Sequence, residues 1–155
     1  MTLQALAERL ADSPFALWAG QSAFAYPLAN VVHVFGVVLL VGGIGIVDLR
    51  LIGFFRVIPL QPLARALTPL AVGGLLLLVL SGSVLFASDA EAVAVNGTFR
   101  LKLVLIALAL ANAILFRWRF GGLGAEPAPG LRLMALVSLL LWVTVAVCGR
   151  LIAYS

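Results

Sequence analysis

Four apolar runs of close to twenty residues divide the chain: Leu28 to Val47, Leu67 to Ala87, Leu101 to Phe120 and Leu133 to Ala153. Wound as an α-helix at 1.5 Å per residue, such a run crosses the ~30 Å hydrocarbon layer of a bilayer. Polar residues punctuate the runs instead of alternating within them. Pro27 opens the first, and Asp48, Arg50 and Arg56 close it. Pro69 falls in the first turn of the second, where proline is tolerated. Lys102 stands near one end of the third and Arg117 and Arg119 near the other, positions from which long cations can snorkel to the interface. The pattern predicts an all-α membrane protein: four transmembrane helices over 28–47, 67–87, 101–120 and 133–153, forming one integral membrane domain over 1–155.

Ahead of the first run, Leu3, Leu6, Ala7 and Leu10 share one helical face, and Ser13-Pro14 has the form of an N-cap followed by proline at the first helical position. Phe15, Leu17 and Trp18 suit the membrane interface. Residues 2–22 are therefore expected to form one or two short interfacial helices. Glu8, Arg9 and Asp12 exclude a cleavable signal over this stretch. The connections over 88–99 and 121–131 are short, which favours antiparallel neighbours in an up-down-up-down bundle.

Composition fits this picture. The 155 residues are 64% hydrophobic and only 10% charged, against about half and a quarter in soluble domains. The net charge of +4 would suggest nucleic acid in a soluble chain. Here the cations lie at helix ends, so the partner is the lipid bilayer and not nucleic acid. Arg50, Arg56, Arg65, Arg117, Arg119 and Arg132 lie on one side; Arg9, Arg100, Lys102 and Arg150 lie on the other. This six-to-four bias orients both termini away from the cytoplasm, periplasmic in a bacterial inner membrane. The single Cys148 excludes an intrachain disulfide, and no Cys/His zinc spacing is present.

His33 is the only histidine. Steps of three and four place Tyr26, Asn30, His33, Gly36, Leu40 and Gly43 on one stripe, small and polar enough to face the bundle. A buried histidine hydrogen-bonded to a neighbouring helix and a ligand to haem or a metal are both consistent with this placement; so is a proton carrier. Lys102 and Arg150 enter the same leaflet, and burying unpaired cations is costly. An anion is expected to meet them: Asp89 or Glu91 from the loop, a lipid phosphate, or haem propionates. Simple snorkelling is the plainer account for Lys102. At the opposite end Asp48 cannot face Arg50 on a helix, so a structural ion pair with Arg65, Arg117 or Arg132 is expected. Asn112 is expected to join helices, Trp142 to fill space, and Gly73, Gly74, Ser81, Gly82 and Ser83 to give the second helix a small packing face. Cys148 and Met134 are soft ligand types too far apart in depth to form one copper site. No nucleophile–base pair, paired carboxylates or phosphate loop points to an enzyme.

Taken together, Tyr26-Pro27, Val32-His33-Val34-x-Gly36, Asp48-Leu49-Arg50-Leu51-x-Gly53, Phe99-Arg100-Leu101-Lys102 and Gly149-Arg150-Leu151-Ile152-Ala153-Tyr154 resemble a family of short bacterial inner-membrane proteins built on four helices. The resemblance covers nearly the whole chain. It implies a fold and no activity, since that family is a domain of unknown function. His33 and Lys102 are also similar in position to residues of the copper-resistance D type and of the bacterial haem-b protoporphyrinogen oxidase. Those groups carry further histidines that this chain lacks, which excludes a bis-histidine haem within one protomer.

Three functions are compatible with these residues. In the first, a redox-associated subunit binds haem b or a metal through His33, with Lys102 and Arg150 near the propionates and Asn30 and Gly36 on the same stripe. In the second, a non-catalytic accessory or scaffold subunit packs against a larger membrane complex. In the third, a homo-oligomer carries anions or protons past His33, Lys102 and Arg150.

Overall fold

The computed structural model describes residues 3–120 and 129–154, and these contain helices and no strand. In chain order the elements are α1 (Leu3–Ala11), α2 (Pro14–Gln21), α3 (Ala25–Ile52), α4 (Leu60–Ala87), α5 (Ala90–Val95), α6 (Gly97–Phe120) and α7 (Pro129–Leu151), with a 3₁₀ turn over Ile152–Tyr154. The protein is an all-α, four-helix membrane bundle. α3, α4, α6 and α7 are each long and apolar enough to cross a membrane. Their outward faces display Val34, Phe35, Val38, Leu76, Val79, Leu80, Val104, Leu108, Leu140 and Val147. So large an exposed apolar surface requires lipid as its solvent.

Every spanning helix begins before the apolar run it contains, because the run marks what lies in hydrocarbon and not where the backbone stops hydrogen bonding. At 28 residues each, α3 and α4 reach about 42 Å, well beyond the hydrocarbon layer. α4 starts at Leu60, seven residues ahead of the run, so Pro69 sits inside the helix instead of in its first turn. There it removes the hydrogen bond to the carbonyl of Arg65. α6 starts at Gly97 because Asn96 Oδ1 accepts from the Phe99 N–H at 3.0 Å, an N-terminal cap. The 88–99 connection also holds the short helix α5. The remainder of the Gly/Pro-rich connection, 121–128, lies outside the described residues, while its Pro129 and Gly130 open α7.

Packing is closest between α3 and α4. A Cβ built on Gly74 would stand 2.6 Å from the backbone nitrogen of Leu40 and 2.7 Å from the carbonyl oxygen of Gly36, so these backbones touch where no side chain intervenes. Gly43 meets Leu67 and Ala71 further along, which fixes the pair as antiparallel. The expected packing face of α4 holds only in part: nothing lies within 4 Å of a Cβ on Gly73, and Ser83 is exposed. α7 packs on α3 through Gly45 and Leu139, and α6 packs on α7, where the Asn112 amide donates to the carbonyl of Met134 at 3.1 Å. Leu40, Ala71, Ala109, Trp142 and Val145 form the centre, one or two residues from each spanning helix.

At one end of the bundle α1, α2 and α5 form a cap. Ala7 packs with Ala90 and Ala94, and Ala16 and Ala19 pack with Ala87. Ser13 caps α2, its Oγ accepting from the Ala16 N–H at 3.1 Å with Pro14 following it. Phe86 stacks on Phe99 with ring centroids 5.3 Å apart, joining α4 to the first turn of α6 over the central core.

Candidate functional site

His33 lies in the capped half of the bundle, on the flank of α3 that turns toward α4. Its Nδ1 is 2.9 Å from Ser81 Oγ. Ser81 donates its one hydroxyl proton to the carbonyl of Leu77 at 2.6 Å, the bond to the preceding turn that serines form within helices. With that proton on Leu77, Ser81 offers the histidine only lone pairs, an arrangement in which Nδ1 donates and a neutral ring keeps the unshared pair of Nε2, the atom that would coordinate a metal. Gly82 makes room for the ring: a Cβ there would lie 3.3 Å from His33 Cε1.

Lys102 reaches the same region from α6. Its Nζ would stand 3.3 Å from a Cβ on Gly149 of α7, so a second glycine makes room for a second ionisable side chain. The Lys102 ammonium lies within electrostatic reach of His33. Each of the four spanning helices thus contributes to one cluster: His33 from α3, Ser81 and Gly82 from α4, Lys102 from α6, and Cys148 with Gly149 from α7. No carboxylate among the described residues enters it. Asp89 and Glu91 stay exposed on the cap, so the expected return of a loop acid to Lys102 does not occur.

The remaining residues of the expected site are placed elsewhere. Asn30 and Tyr26 are exposed, whereas Ala25 and Ala29 are buried. At 100° per residue Asn30 lies about 120° around the helix from Gly36 and Tyr26 about 80°, but Ala29 and Ala25 only about 20°. The run of three-and-four steps had drifted off the buried face. Gly36 is buried, yet it meets Leu78 and the Gly74 carbonyl and serves helix packing, not the cluster. Arg150 is exposed; its guanidinium hydrogen-bonds the Tyr154 hydroxyl and lies over that ring, 4.8 Å from the centroid. It flanks the cluster from outside.

Asp48 also departs from expectation. It is buried, and none of Arg65, Arg117 or Arg132, all exposed, pairs with it. Its partner is the hydroxyl of Ser138 on α7. Arg50 is engaged with the carbonyls of Ile58 and Arg56. Ser138 carried no signal in the sequence beyond being a serine in an apolar helix.

Chemically, the four-helix cluster offers one neutral imidazole nitrogen and a cation. Among the described residues no group of three or more His, Cys, Asp or Glu could hold a metal ion, so a bare metal would find too few ligands here. A haem asks less of the protein, since the porphyrin supplies the equatorial ligands and one histidine suffices as an axial ligand. The donor set fits it: an imidazole held through Nδ1 by Ser81 and a cation for a propionate. No family model, curated protein or solved structure matches the chain.

Proposed function

We propose that this multi-pass membrane protein is a redox-associated subunit that binds haem b, with His33 as the axial ligand and Lys102 beside a propionate. The observation that carries this reading is the hydrogen-bonded chain from His33 Nδ1 through Ser81 to the carbonyl of Leu77. Metal-bound histidines are held by a partner on the other ring nitrogen in the same way, which fixes the ring and raises its basicity. When bound, haem b supplies one-electron redox chemistry at its iron. The chain itself orients the imidazole through Ser81, places a positive charge near the ligand through Lys102, and excludes water with the Phe86–Phe99 stack and the central apolar core. As the chain has a single histidine, a second axial ligand would come from another subunit or from a different side chain.

The bilayer we assign is the bacterial inner membrane, with both termini periplasmic. Support comes from the arginines gathered at the end of the bundle opposite the cap. A continuous path for protons or anions is disfavoured by packing: Leu40, Ala71, Ala109 and Trp142 fill the bundle between the levels of His33 and Asp48.

The reading is tested by purifying the protein in mild detergent from cells supplied with a haem precursor and recording its reduced-minus-oxidised spectrum. A Soret band is expected in the wild type and its loss in His33→Ala. A folded wild-type protein that is colourless and free of iron overturns the proposal and leaves the accessory-subunit alternative.

A further inference from the structure

Asp48 stands fifteen residues beyond His33 on α3, about 22 Å along the axis, and is 4% exposed. Val47, Leu51, Ala64 and Ala135 are buried around this level, with Leu60, Leu67 and Phe116 packed against them. The polar group that reaches the carboxyl is Ser138, itself buried on α7. The second oxygen, Oδ2, is buried without any hydrogen-bond partner.

Among the described residues no charged group answers it. On α3 itself, Arg50 donates to the carbonyls of Ile58 and Arg56. On the packed neighbours, Arg65 of α4, Arg132 of α7 and Arg117 of α6 are exposed. Asn112 of α6 spends its amide on the carbonyl of Met134. A carboxylate left bare in such surroundings is strongly disfavoured, and the group is neutralised by taking up a cation. Metal cations such as Ca²⁺ or Mg²⁺ require several oxygens in an ordered shell. Here Ser138 supplies one hydroxyl in an otherwise apolar wall. A proton needs only one oxygen, and a protonated carboxyl turns the orphaned acceptor into an O–H.

We propose that Asp48 and Ser138 form a proton-binding site inside the bundle at the α3–α7 contact, with the proton on Oδ2 and the Ser138 hydroxyl donating to the other carboxyl oxygen. The site lies at the opposite end of α3 from His33, and it does not depend on a haem being bound. Ionisable groups within membrane spans commonly serve to take up or pass on protons. Because the acid lies at a helix–helix contact, losing its proton would place an unpaired anion between α3 and α7.

Infrared spectroscopy of the full-length protein in bilayers at neutral pH tests this directly. The wild type should show a carboxylic-acid carbonyl band that shifts in D₂O and is missing in the isosteric Asp48→Asn. Ser138→Ala should move the same band to higher frequency by removing its hydrogen bond, which provides the assignment even if Asp48→Asn does not fold. If Asp48→Asn instead removes a carboxylate band, or if neither variant alters the carboxylic-acid region, Asp48 is ionised and the proposal fails. A carboxylate band that responds to added sodium overturns it in favour of a metal cation.

Discussion

Ser81 decides what His33 can do. With its proton on Leu77 it accepts from the histidine, which favours the tautomer that carries its proton on Nδ1. Ser81→Ala removes the acceptor and frees the ring to turn over Gly82. Losing such an outer-shell partner typically costs about 10–100-fold in metal affinity, and a loss of that size is expected in a haem titration, with the helical content unchanged. Lys102 should separate binding from stability. Its ammonium has no acidic partner among the described residues and is costly to hold in the bundle. Lys102→Met is expected to melt no lower than the wild type while binding haem about tenfold more weakly, the scale of one lost charged hydrogen bond. Parallel thermal and haem titrations would check both halves. His33 and Lys102 were legible in the sequence because an ionisable side chain in an apolar helix has few places to go. Ser81 as the partner of His33 was not, since a serine in a helix is ordinarily satisfied by its own preceding turn. Asn30 was misplaced because each step of three falls about 60° short of a full turn, and two such steps separate it from Gly36.

At the scale of elements, the α3–α4 contact is a close approach of two backbones. Gly74→Ala would drive a methyl group into the Leu40 nitrogen and the Gly36 carbonyl, neither of which can rotate away as a side chain does. Overpacking of this kind costs about 1–3 kcal/mol. Gly73→Ala is its control: it faces open space and, by helix propensity, should be neutral or stabilising by up to about 1 kcal/mol. Equilibrium unfolding in mixed micelles distinguishes the two. The four spanning helices were legible because length and apolarity alone demand them, but their ends were not. Asn96, read as part of a loop, caps α6 through its side chain, and Gln61, Pro62 and Arg65 interrupt the apolar pattern in the part of α4 before Leu67.

For the molecule as a whole, the core that joins the four helices is built around Trp142, which is 4% exposed. Trp142→Ala is expected to cost about 3–5 kcal/mol, read as a lower unfolding midpoint, because no neighbouring aliphatic side chain can refill that volume. An even number of crossings leaves both termini on one side, so reporter fusions at the two ends should report the same compartment. What the bundle brings together is more specific than its topology. An imidazole and an ammonium that has no acidic partner among the described residues approach one another from α3 and α6. Haem binding through His33 is decided by titrating hemin into the purified, detergent-solubilised protein. A saturable Soret shift is expected in the wild type, weaker in Ser81→Ala and absent in His33→Ala. A shift of the same size and affinity in folded His33→Ala would contradict it.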